Sequence, residues 1–155
     1  MVEQRTENPR VSGSTPLLGT IRGKEVDMAK LTQEAKDLFS DPKALKLITT
    51  VDAMGRPNIA AKGSLMVIDD ETIAYAELAG AKTKANLEST KQAAMLACKG
   101  MESYQIKGTF QGFQTSGDIF GQVAKLIKEA INVDIKNVGI IKIEEVYDKG
   151  GKRVV

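Results

Sequence analysis

Between residues 104 and 115 the chain alternates more cleanly than anywhere else. Ile106, Gly108, Phe110 and Gly112 fall on one register and Gln105, Lys107, Thr109 and Gln111 on the other. A period of two puts each set on one face of a β-strand. Two glycines on the same face predict strong bending or close approach of another backbone, as in a small barrel. Residues 44–51, 59–68, 72–76, 92–99 and 138–146 are apolar or β-branched runs bounded by turn formers, and each reads as a strand. The turns at 52–57 and 69–71 pair 44–51 with the strand that starts at Ile59, and fold 59–68 and 72–76 into a hairpin.

Helical spacing appears in three places. Leu31, Ala35, Leu38 and Phe39 form a stripe behind Thr32, a natural N-cap, and this helix stops before Asp41-Pro42 and covers one end of the barrel. A short helix follows over 83–89. Phe120, Val123, Ala124, Ile127 and Ile131 recur in a third that runs to about Asn132, with Ser116 or Asp118 as its cap. Strands predominate without βαβ alternation, so the pattern predicts a mainly β protein, an antiparallel barrel with covering helices, over a doubly wound sheet.

Composition then sets the limits. At 155 residues, 42% hydrophobic, the chain holds one core, placed at 31–148 between a Pro/Gly/Ser-bearing extension at 1–30, partly disordered, and a basic tail at 149–155 that leaves the domain. Leu17, Leu18 and Ile21 are the extension's docking candidates. A net charge of +2, with both signs scattered, argues against a dedicated nucleic-acid or membrane-surface protein. No apolar run has signal-peptide or membrane-spanning length, which makes the cytoplasm the expected setting. Histidine is absent, which removes Ser-His-Asp and Cys-His nucleophiles and histidine-ligated haem. One cysteine, Cys98, is too few for an internal disulfide or a thiolate zinc site and reads as a buried packing thiol. Any chemistry must come mainly from a bound cofactor.

The best anion site lies after the second hairpin strand. Ala79-Gly80-Ala81 lets backbone approach a ligand, and Lys82, Thr83 and Lys84 open the helix, whose free N–H groups and partial positive charge suit a phosphate. A bland alternative makes Thr83 an ordinary cap and Lys82 a solvated side chain.

The small residues of the 59–68 run, Val67-Ile68-Asp69, the segment Ala81-Lys82-Thr83-Lys84-Ala85-Asn86-Leu87 and the closing Ile143-Glu144-Glu145-Val146-Tyr147-Asp148 together resemble the FMN-binding split-barrel family, which includes the pyridoxamine 5′-phosphate oxidase-like proteins. The resemblance spans about residues 32–148. It implies a split β-barrel that binds FMN, with Lys82 and Thr83 on the phosphate, Ala61, Lys62, Gly63 and Ser64 running along the flavin ring, and Glu77, Leu78 and Ala79 lining it. A deazaflavin in place of FMN stays open, because related barrels accept one. Lys62 places charge near the phosphate or the reduced ring, or is a surface lysine; Glu77 has the same exposed alternative. The resemblance also implies a homodimer with the flavin between subunits, exchanging electrons with a small-molecule donor or acceptor. An FMN-dependent oxidoreductase is the leading expectation. A flavin-carrying electron-transfer protein without turnover, or a cofactor-free barrel that binds a polyanion, are the alternatives. The C-terminal 149–155 lacks the histidine- and arginine-bearing arrangement of true pyridoxamine 5′-phosphate oxidases, which disfavours vitamin-B6 oxidation.

Overall fold

The computed structural model describes residues 30–155, so the docking candidates of the N-terminal extension lie outside the described residues. Ten elements follow in order: α1 (Gln33–Ser40), β1 (Leu45–Val51), β2 (Pro57–Ala61), β3 (Met66–Asp69), β4 (Thr72–Ala76), α2 (Ala81–Thr90), β5 (Gln92–Lys99), β6 (Glu102–Gln114), α3 (Asp118–Ile131) and β7 (Val138–Tyr147). The seven strands form one antiparallel sheet in the order β2-β1-β5-β6-β7-β4-β3, with β2 and β3 at its two edges. The fold is the expected mainly β split barrel with covering helices.

The alternation in 104–115 has the consequence anticipated for it. Ile106, Gly108 and Phe110 are buried, and β6 bulges against β7 at Lys107/Gly108 and again at Phe110/Gly112. A side chain at Gly108 would stand 2.3 Å from the Lys142 carbonyl oxygen, so only glycine allows the two backbones to close there. The main core gathers Phe39 from α1, Ile48, Met95 and Ile106 from the sheet, and Leu87 from α2. β4 and β7 are buried on both faces. Ile73, Tyr75, Ile141 and Ile143 point into that core, while Ala74, Ala76, Val138 and Ile140 meet Val123 and Ile127 of α3. Double-sided burial is why these two strands read as continuous apolar runs rather than alternating ones.

Three expectations need correction. The run 59–68 is not one strand but two. β2 pairs with β1 and β3 with β4, and residues 62–65 turn between them, closed by Leu65 N–H to Lys62 O at 3.1 Å. The turn is pinned to β1 at both ends, by Lys62 N–H to Lys46 O at 2.9 Å and Lys46 Nζ to Leu65 O at 3.3 Å. Gly63 and Ser64 therefore belong to a turn rather than to a strand. α3 is capped by neither Ser116 nor Asp118; its N-cap is Gly117, whose φ of 100° favours glycine. Finally, residues 149–155 do not leave the domain. They double back on the end of β7, with Val154 N–H to Val146 O at 2.8 Å and Val155 packed against the core. Thr32, by contrast, caps α1 as anticipated, accepting from Ala35 N–H at 3.3 Å.

Candidate functional site

β2 is an edge strand, and its register fixes which of its amides are free. Asp52 N–H bonds to Arg56 O and Lys62 N–H to Lys46 O, so along this ladder Asn58 and Ala60 also face β1. Antiparallel pairing alternates, so the backbone groups of Ile59 and Ala61 point outward to an edge that no described strand covers. Ala61 closes the strand, and its small side chain leaves that edge accessible.

α2 lies against this strand, held by polar contacts. Thr83, only 2% exposed, stands 3.4 Å from Asn58 Nδ2; Asn86 Nδ2 donates to Thr50 Oγ1 at 3.1 Å; Thr90 Oγ1 donates to Val51 O at 3.0 Å. Its N-cap is Gly80, with no side-chain cap, and the first helical bond is Lys84 N–H to Gly80 O at 2.9 Å. The amides of Ala81, Lys82 and Thr83 precede that bond and donate to no described residue, which leaves a donor-rich, electropositive first turn. Lys82 is exposed beside it. Thr83 is thus the third helical residue rather than the cap, and its buried hydroxyl already meets Asn58.

Lys62 and Glu77 are not surface residues. Their side chains are 7% and 8% exposed and form an ion pair at 3.0 Å, and Lys62 Nζ also reaches Ala79 O at 3.4 Å. The exposed alternative for each side chain therefore falls, and the charge of Lys62 is balanced by that of Glu77. Glu77 Oε2 and the Tyr75 hydroxyl are buried without a hydrogen-bond partner. Burial, and then the Glu77 carboxylate beside it, push the Tyr75 phenol far above its ordinary range, so it stays protonated. Ser64 Oγ donates to Ala76 O at 3.0 Å, tying the 62–65 turn to the end of β4.

A cleft of about 390 Å³ opens beside this corner, between residues 77–81 with Lys84 on one wall and residues 133–137 on the other. Of the expected site residues, Glu77, Leu78 and Ala79 line it; Lys82, Thr83 and 61–64 border the helix entrance without lining the cleft. Sequence reasoning missed the 133–137 wall, which reaches the corner through Glu77 N–H to Asn137 O at 3.0 Å and has no local signal. It also passed over Ile59, whose outward amide follows only from the register. A larger cleft of about 570 Å³, lined by Thr49, Lys107, Thr109 and Glu145 among others, lies across β1, β5, β6 and β7 and includes none of the expected residues. We place the candidate site at the 390 Å³ cleft because it opens at the free first turn of α2, with Gly80 and Ala81 on its wall. Cys98 is half-buried rather than buried, opposite Leu45 on the outward sheet face. Among the described residues no cluster of three or more His, Cys, Asp or Glu side chains could hold a metal, and no helix is long and apolar enough to cross a membrane.

The geometry suits a planar, phosphorylated ligand: an open strand edge for a polar ring margin, beside a helix entrance whose first amides have no partner among the described residues and whose Lys82 is exposed. Comparison with solved structures supports the fold. HupZ of Group A Streptococcus is 30% identical, with a TM-score of 0.72 over 81% of this chain and 99% of that one. An FMN-binding protein from Syntrophomonas wolfei subsp. wolfei is 23% identical, with a TM-score of 0.69 over 74% of this chain and 82% of that one. HutZ, the heme storage protein of Vibrio cholerae, is 17% identical, with a TM-score of 0.55 over 76% and 94%. No functionally curated protein matches the sequence. The profile of the pyridoxamine 5′-phosphate oxidase family matches residues 31–150, and the chain belongs to that family.

Proposed function

We propose that this protein is a flavoprotein that binds FMN between two copies of itself and exchanges electrons with a small-molecule donor or acceptor. One observation carries the reading. The free edge of β2 and the open first turn of α2 are held side by side, by Asn58 to Thr83 at one point and by Lys62 to Glu77 and Ala79 at the other. Lys82 and the amides of Ala81 to Thr83 take the phosphate, and the outward backbone of Ile59 and Ala61 takes the polar margin of the ring. FMN, once bound, supplies the redox chemistry; the chain supplies position and electrostatics. The same corner suits a phosphorylated deazaflavin.

Pairing of two copies has its own support. Ile59 and Leu45, 65% and 53% exposed, share the outward sheet face with Leu47, Ala94 and Leu96 through the register Thr49↔Ile59, Leu47↔Leu96 and Leu45↔Cys98. An apolar strip of this kind beside the free β2 edge supports pairing of two copies on this face.

Haem, which HutZ stores, is the competing occupant. This chain has no histidine, so an axial ligand would have to come from Tyr, Cys, Met or Lys.

Absorbance and reconstitution decide between these readings. The account expects the protein to take up FMN in near-stoichiometric amount per chain, and bleaching by NAD(P)H would identify an enzyme rather than a carrier. A protein that takes up no flavin but gives a Soret band with haem, or that binds polyanions with steep salt dependence, overturns it.

A further inference from the structure

We propose that Lys62 and Glu77 are positioning residues: their ion pair, buried beneath Gly80, holds the α2 entrance in the shape that makes the corner selective for a phosphate. The inference rests on the flavin reading above and assigns the pair a role other than ligand contact.

Burying two charges costs more than their attraction returns unless the geometry is good and further bonds satisfy them. The Lys62 half of the pair meets that condition, with Glu77 Oε1 at 3.0 Å, Ala79 O at 3.4 Å and the face of the Tyr75 ring, whose centre is 5.2 Å away, whereas Glu77 Oε2 has no partner among the described residues. Every contact of the ammonium therefore lies on the segment that leads into α2. The rest of that segment is tied down independently. Ala76 O accepts from Ser64, and Glu77 N–H donates to Asn137 O. With Ala79 O turned toward Lys62, the next amides lead toward the free first turn of the helix.

Gly80 completes the device. A Cβ there would stand 2.8 Å from Glu77 Oε1 and 2.9 Å from Lys62 Nζ, so a side chain at this position would push the paired tips aside. Because the pair is neutral as a unit, the charge left for a phosphate comes from Lys82, exposed at the second helical position, and from Lys84 on the cleft wall.

Glu77→Gln separates positioning from simple charge. If Glu77 acts only through its charge, removing it relieves repulsion and FMN binds more tightly. If it positions the entrance, Lys62 loses its partner, the segment loosens and FMN binds more weakly. The account expects FMN affinity to fall by about tenfold while riboflavin affinity moves less than about twofold. Glu88→Gln, an equal charge change on the exposed face of α2, should leave both unchanged.

Hydrogen exchange on the ligand-free protein gives the second readout. Glu77→Gln, Lys62→Met and Gly80→Ala should each speed exchange at Ala81, Lys82 and Thr83 while α3 stays protected. Tighter FMN binding in Glu77→Gln, or unaltered exchange at those amides in all three variants, overturns the proposal. If the wild-type protein binds FMN no better than riboflavin, the phosphate-corner reading itself fails, and the exchange result still judges the positioning role.

Discussion

α2 and α3 cover the same sheet by different physics. α3 is amphipathic and buries Val123 and Ile127 against Ala74, Ala76, Val138 and Ile140, so its position is set by apolar area and tolerates small rotations. α2 buries one large apolar side chain, Leu87, and is otherwise placed by Thr83, Asn86 and Thr90, each bonded to a named group on β1 or β2. Hydrogen bonds are directional, so α2 is held in orientation as well as in place. A helix whose N-terminal amides must meet a ligand at fixed geometry needs that kind of anchoring; a helix that only covers a sheet does not.

The largest effects should come from the two helices' apolar anchors. Leu87→Ala and Ile127→Ala should each cost about 2–4 kcal/mol in urea unfolding, but only Leu87→Ala should also weaken FMN binding. Equal losses of affinity would erase the contrast between the helices. Asn86→Ala leaves the 3%-exposed Thr50 hydroxyl without its partner and should cost about 1–2 kcal/mol, with FMN affinity falling further than stability alone explains. Tyr75→Phe tests the quieter side of the corner. It removes a buried hydroxyl that lies beside the Glu77 carboxylate without a well-formed hydrogen bond, so stability should change by less than about 1 kcal/mol in either direction.

The smallest effect lies in the turn before β2. Asp52 accepts from Arg56 N–H, Met54 N–H and Arg56 Nε, each at 2.9 Å, and the bond from the Arg56 amide leads in holding its carboxyl below the ordinary 3.8. A carboxylate lowered in the folded state contributes stability that is complete above its unfolded value and is lost as pH falls through the folded one. Thermal melts should therefore show a shallow decline below pH 4, and Asp52→Asn should lessen it without removing it, because Asp41 and Asp70 are also lowered, by their bonds from Lys99 and Lys36.

Legibility in the sequence followed the range of the interactions. β5 and α3 could be read because their signals are local, a strand run bounded by turn formers and a 3.6-residue period. The 59–68 run could not be divided, since its break depends on Lys46 reaching Leu65 across nineteen positions. Lys62 reads as surface or site until Glu77 is seen folded onto it from fifteen residues away. The wall at 133–137 is more distant still. Lys82 and Thr83 were legible because a helix entrance carries its own composition, but Thr83's burial against Asn58 was not.

The central claim is that the α2 entrance grips a phosphate. Paired titration of FMN and riboflavin into the wild-type protein and Lys82→Ala tests it most directly, because the two ligands differ only in that group. The account predicts that Lys82→Ala loses about tenfold or more in FMN affinity and leaves riboflavin affinity nearly unchanged. Equal losses for both ligands, or none for either, would contradict it.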